Sequence, residues 1–174
     1  LTGEIHQELK DLYMDKTVFE VRFFSDYDTF TQNGSDKVEF YLSTNPGEPL
    51  KPLSKIASGG EISRIMLALK SIFSKHQGRT AIIFDEVDTG VSGRVAQAIA
   101  EKIYRISTDS QVLCISHLPQ VAAMGDTHLL IKKEVDKGRT CTSVKVLNDE
   151  EKIEEIGRMI SGVEITDTTK EHAK

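Results

Sequence analysis

Apolar residues recur along this chain in two rhythms, steps of three and four residues and steps of two, and the changes between them mark its elements. Ile5, Leu9 and Leu12 fall at helical steps inside a charged stretch, Leu1 to Met14, and predict a helix with few apolar partners nearby. Thr17 to Phe24 and Lys37 to Ser43 are rich in Val, Phe and Tyr, and Asn33-Gly34 between them favours positive φ, so an antiparallel hairpin is predicted. Asn45 to Pro52 contains Pro46, Pro49 and Pro52 and predicts an irregular connector. From Glu61 to His76 the residues Ile62, Ile65, Met66, Leu69, Ile72 and Phe73 return to helical spacing and predict an amphipathic helix. Thr80 to Phe84 then predicts a buried strand, Arg94 to Ile106 a helix, and Gln111 to Ile115 a second buried strand, an order that implies a right-handed parallel crossover. A further helical stretch begins near Leu118. Strands are expected at about His128 to Lys133 and at Thr140 to Leu147, where Thr142, Val144 and Val146 alternate with Ser143 and Lys145. Glu150 to Ile160 closes as a helix and the final segment is expected to fray. No internal repeat is visible.

Two places break the apolar pattern in ways that suggest chemistry. The run Ala81-Ile82-Ile83-Phe84 ends in Asp85-Glu86-Val87-Asp88, so a core strand delivers three acids to a sheet rim, where open α/β sheets bind ligands. A strand running into a polar turn is the plain alternative, but two adjacent acids after so apolar a run favour Mg²⁺ and phosphate chemistry. Ser58-Gly59-Gly60-Glu61 lies where the amphipathic helix begins. Glycines permit close backbone approach to a ligand, and a helix amino terminus presents free N–H groups and a partial positive charge of about half a unit. Taken alone, Ser58 as an N-cap with glycines filling a tight turn is the favoured explanation.

Composition narrows the field. A chain of 174 residues can form one domain with a sizeable core or two small lobes. Its net charge of −5 argues against a surface that is basic all over, so any DNA contact must be local or supplied elsewhere. Neither a membrane-length apolar run nor a signal-peptide pattern is present, and a soluble, intracellular protein without membrane partners is expected. Cys114 and Cys141 lack CxxC spacing and are expected to be buried, reduced thiols. His6, His76 and His128 share no ligand spacing. Lys132-Lys133 and Lys137-Gly138-Arg139 read as a solvated strand edge and turn rather than a DNA-facing patch, and Asp149-Glu150-Glu151 as a helix start favoured by the dipole.

The order of these motifs resembles that of ABC-type ATPases: a Ser-Gly-Gly helix like the signature motif, an acid-tipped strand like Walker B with its D-loop, and a strand ending in Ser116-His117 like the H-loop. Glu61 after the glycines, and Val87-Asp88 in place of a proline, are similar to the SMC branch. Within it, Ile56 to Ala68, the string Asp85-Glu86-Val87-Asp88-Thr89-Gly90-Val91-Ser92-Gly93, Ser116-His117-Leu118-Pro119-Gln120-Val121-Ala122 and Asn45-Pro46-Gly47-Glu48 closely resemble the RecN family of bacterial double-strand-break repair proteins. The resemblance covers about Phe40 to Gly162.

It implies that Asp85 holds Mg²⁺, that Glu86 orients or deprotonates the attacking water, and that His117 contacts the γ-phosphate of ATP. It also implies that Ser58, Gly59, Gly60 and Glu61 bind the nucleotide of a second head, with Asp88 in the D-loop between heads. A P-loop needs Gly-Lys followed by Ser or Thr, and this sequence contains no Gly-Lys pair. The expected fold is therefore α/β: the carboxy-terminal half of an ABC/SMC-type P-loop NTPase head, with a parallel sheet core, flanking helices and an antiparallel hairpin, lacking the P-loop lobe. Residues 1–14 would end a coiled-coil helix, 15–52 form the hairpin and connector, 53–165 the ATPase lobe, and 166–174 a frayed tail. The expected partners are an amino-terminal lobe of the same polypeptide, a second head in a homodimer, and double-stranded DNA ends. The fragment alone is expected to be inactive. Another ABC- or SMC-type ATPase, or a non-catalytic interaction module of the same fold, are the alternatives.

Overall fold

The computed structural model describes residues 1–25, 28, 30–56, 59–77, 81–85, 87–136 and 139–161. They fall into two compact units, Leu1–Ile115 and a second from Ser116 onward.

The first unit opens with α1, Thr2–Asp11. Ile5, Leu9 and Leu12 are completely buried, so the expectation of a helix short of apolar partners is corrected. Their burial comes from the next element, β1 (Val18–Ser25), and from α2 (Gly59–Gln77), which is distant in sequence; both pack on α1. The helix ends in a Schellman arrangement: the Tyr13 N–H donates to the Lys10 carbonyl at 3.1 Å and the Met14 N–H to the Leu9 carbonyl at 2.9 Å. Tyr13 takes the left-handed φ of 59° that such a stop requires, at a cost of roughly 1–2 kcal/mol for a residue with a Cβ.

Strand β1 pairs antiparallel with β2, Asp36–Ser43, and β2 pairs in turn with β3, Lys51–Pro52. The connector is thus not wholly irregular: Pro52 is accommodated because β3 is an edge strand. One hairpin face grades from a buried root, Phe19 paired with Leu42, to an exposed tip, Phe23 paired with Val38. The other is polar, with the Arg22 guanidinium bonded to Glu20 and stacked 4.0 Å over the Tyr41 ring. The His6 imidazole joins α1 to the root by accepting the Phe19 N–H at 3.2 Å.

Helix α2 buries Ile65, Leu67, Ala68, Leu69 and Ile72, while Met66, expected on the buried face, is 41% exposed. The single-stripe expectation fails because α2 packs on two partners, α1 and α3 (Gly93–Ser107), so burial spreads around it. Helix α3 connects β4, Ala81–Asp85, to β5, Gln111–Ile115, and the two strands are parallel, pairing Ile82 with Val112 and Phe84 with Cys114. Here too the sequence reading needs correction. Ile82 and Phe84 are buried, but Ile83 is 68% exposed, and Leu113 and Ile115 are also exposed. Among the described residues of this unit only one face of the parallel sheet is covered, although parallel sheets are normally covered on both.

The second unit contains α4 (Pro119–Ala123), the antiparallel pair β6 (Leu129–Asp136) and β7 (Arg139–Val146), and α5 (Asp149–Ser161). Helix α5 starts with a capping box: the Asn148 Oδ1 accepts the Glu151 N–H at 2.9 Å, and the Glu151 carboxylate accepts the Asn148 N–H at 3.2 Å. The acidic run is thus a helix start. Strand β7 is exposed along its length, including Val144 and Val146. Cys141 is therefore exposed rather than buried, and Cys114 is only partly covered; both are free thiols. Lys132, Lys133 and Arg139 are solvated on this ribbon. His128 is held below its ordinary pKa, first by burial and then by the Lys152 ammonium.

Candidate functional site

Asp85 is the last residue of β4 and is exposed. Strand alternation puts it on the same face as Ala81 and Ile83, the uncovered one, opposite buried Ile82 and Phe84. Immediately beyond, Val87 and Asp88 are buried at 3% and 0% exposure, so the chain dives back into the protein after presenting Asp85. A turn follows in which the Val91 N–H meets the Asp88 carbonyl at 3.4 Å, and Gly90 has a φ of 72°.

Gly60, in the first turn of α2, lies against this turn. A Cβ built on Gly60 would stand 2.8 Å from the Thr89 carbonyl oxygen, closer than any side chain tolerates. The Gly60 carbonyl accepts the Arg64 Nε–H at 3.2 Å. By contrast, a Cβ on Gly59 would meet nothing within 4 Å. The two glycines thus differ in role: Gly60 permits contact with the turn after β4, while Gly59 leaves open space at the amino-terminal end of α2. Glu61 is half-buried in the same turn.

The structure therefore brings Gly60 to the turn containing Asp88 and Thr89, with Gly59 and Glu61 as its neighbours in α2 and Asp85 ending the strand before that turn. Ser58 and Glu86 lie outside the described residues. His117 follows β5, is exposed, and belongs to the second unit, where the Ser116 Oγ accepts the Leu118 N–H at 3.0 Å. Among the described residues no three His, Cys, Asp or Glu side chains are grouped to hold a metal ion. Asp85 fits Mg²⁺ as a single protein ligand, because that ion binds through one or two carboxylates and otherwise uses water and phosphate oxygens. The open space at Gly59 likewise fits a phosphate.

Two participants escaped the sequence reading. The Thr89 carbonyl is a backbone group without a sequence signal. Cys114, opposite Phe84 in the sheet, has its thiol pKa pushed up to about 11, chiefly by burial and further by the negative charges of Asp88 and Asp85. Only the thiolate reacts with alkylating reagents, so at about pH 8 Cys114 should react far more slowly than exposed Cys141 and should speed up as pH rises toward its pKa. Mass-spectrometric alkylation rates check this, and equal rates at the two cysteines would refute it.

No family model matches this chain. It is, however, 70% identical over 177 residues to the DNA repair protein RecN of Halalkalibacterium halodurans, an alignment covering 100% of the chain and 31% of that relative. Against the DNA repair protein RecN of Bacillus subtilis identity is 63%, covering 100% of the chain and 33% of the relative. The chain belongs to the RecN family. It spans about a third of the length of these curated RecN relatives. Among solved structures it resembles the Smc head domain with a coiled coil and joint from Pyrococcus yayanosii, with a TM-score of 0.68 at 18% identity, over 92% of this chain and 29% of that one. The fold of this RecN-family chain is thus that of part of an SMC head, an α/β architecture with a parallel pair and an antiparallel hairpin.

Proposed function

We propose that this chain is the carboxy-terminal half of the ATPase head of a RecN-type double-strand-break repair protein, completed by an amino-terminal lobe that carries the P-loop. The observation that carries this reading is the position of Asp85. A carboxylate suited to Mg²⁺ ends a strand whose remaining outward side chains, Ile83 with Leu113 and Ile115 beside it, form an exposed apolar sheet face that no described residue of the first unit covers. An apolar layer of the same polypeptide placed there would remove that face from water, at about 25 cal/mol per Å², and bring a nucleotide to Asp85.

In the assembled head Asp85 would hold Mg²⁺, which would supply positive charge against the phosphates. Glu86 takes the proton of the attacking water and His117 positions that water against the terminal phosphate. Ser58, Gly59, Gly60 and Glu61 receive the nucleotide of a second head, with Asp88 in the turn between heads. Residues 1–14 form the last turns of the returning coiled-coil helix, through which the cycle acts on double-stranded DNA ends.

Steady-state ATPase assays test the reading. The purified chain should hydrolyse no ATP, and the complete polypeptide should do so in a magnesium-dependent manner. Turnover by the chain alone, or none by the complete protein, would sink it.

A further inference from the structure

Lys102 lies on the apolar face of α3, among Ala96, Ile99, Ala100, Ile103 and Ile106, and its side chain is only 6% exposed. Its ammonium is held by two carboxylates of α1: Nζ is 2.7 Å from Glu8 Oε2 and 2.8 Å from Asp11 Oδ2. The Lys102 hydrogen bond is also the main reason that the Asp11 carboxyl lies below its ordinary pKa. The other oxygen of Glu8 is approached at 3.5 Å by Lys75 of α2. One face of α1 therefore grips both helices.

Stability does not account for this choice of residues. Burying an ammonium and a carboxylate costs several kcal/mol per ion before pairing repays it, and apolar side chains of similar volume usually do as well or better. What a buried ionic contact supplies is a defined arrangement, since a shift that separates the partners leaves charge unpaired in the interior. The two gripped helices also lead to the same place. Helix α3 begins at Gly93, directly after the turn that holds Asp88 and Thr89, and Lys102 sits about 14 Å along it at 1.5 Å per residue. Helix α2 begins at Gly59, and its Gly60 abuts the Thr89 carbonyl.

We propose that Lys102 is a positioning residue for ATP hydrolysis, fixing the Val87–Gly90 turn to α1 so that displacement of α1 is passed to that turn. The proposal rests on the ATPase reading above.

The test uses the complete polypeptide carrying Lys102→Met, with two readouts. Without nucleotide, hydrogen exchange of the amides from Val87 to Val91 should speed up about tenfold while those of β4 and β5 stay protected. In steady state, kcat should fall about tenfold with KM for ATP within twofold, and Lys102→Arg should restore most of the loss. If Lys102→Met fails to fold, Lys102→Met combined with Glu8→Gln removes both buried charges and is read the same way. Parental exchange at the turn, or loss of protection spread evenly across the unit, overturns the proposal, as does parental kcat. A parental protein without ATPase activity instead condemns the ATPase reading, and the exchange measurement still decides the role of Lys102.

Discussion

Replacing Glu86 by glutamine in the complete polypeptide is expected to slow ATP hydrolysis by roughly 10²- to 10⁴-fold while ATP binding and head closure survive. The amide keeps the size and much of the hydrogen bonding of the carboxylate but cannot accept the proton of the attacking water. The change is also local. Asp85 keeps its place as the exposed end of β4, and buried Val87 and Asp88 still anchor the following turn, so the carboxylate proposed to hold the metal remains available. Single-turnover hydrolysis, nucleotide binding and ATP-dependent dimerisation by light scattering separate the possibilities. Should the variant lose nucleotide binding, Glu86 is a ligand rather than a base; should it hydrolyse at the parental rate, the base lies elsewhere.

Gly60→Ala should be nearly as damaging, for a steric reason. The added methyl would lie 2.8 Å from the Thr89 carbonyl oxygen, and both sides of the contact are backbone, so the helix start and the turn after β4 must move apart. Overpacking of this kind costs about 1–3 kcal/mol, against a gain of about 1 kcal/mol from alanine's better helix propensity. The larger consequence falls on catalysis. Displacement of a catalytic loop by about 1 Å can cost on the order of 100-fold in rate, and that is the expected fall in kcat for the complete protein. Gly59→Ala supplies the thermal control: its Cβ meets nothing within 4 Å, so Tm should hold or rise, whereas Gly60→Ala should lower it. Equal Tm values would mean that the turn yields without strain.

The sequence made the elements legible wherever periodicity was set by a neighbour nearby in the chain. Helix α3, with Ile99, Ile103 and Ile106 buried, and the hairpin around Phe19 and Leu42 follow their patterns closely. It misled where burial depends on distant partners. Ile5, Leu9 and Leu12 looked poorly partnered because α2 is remote from α1 in sequence, and Met66 was misplaced because two helices pack against α2. Ile83 was misplaced for the opposite reason: a strand apolar on both faces carries no mark of which face will be left open. Of the candidate site, the places of Gly59, Gly60, Asp85 and Asp88 at element ends were readable from the changes of apolar rhythm around them. The contact between Gly60 and Thr89 was not, since a carbonyl oxygen leaves no trace in side-chain pattern. Lys102 did carry a signal, a single cation on an otherwise apolar helical face, but even the nearer of its partners in sequence, Asp11, is 91 residues away.

The half-bare sheet has a consequence for how such a protein is made. If the lobe that covers Ile83, Leu113 and Ile115 lies at the other end of a polypeptide about three times as long, it leaves the ribosome well before these strands exist. Its matching surface then waits through synthesis of everything between. Loop-closure entropy rises only slowly with the length of that intervening chain, so final docking remains thermodynamically accessible. The hazard is kinetic: two complementary apolar surfaces are born far apart in time, and during the interval each is a target for chaperones or for the wrong partner.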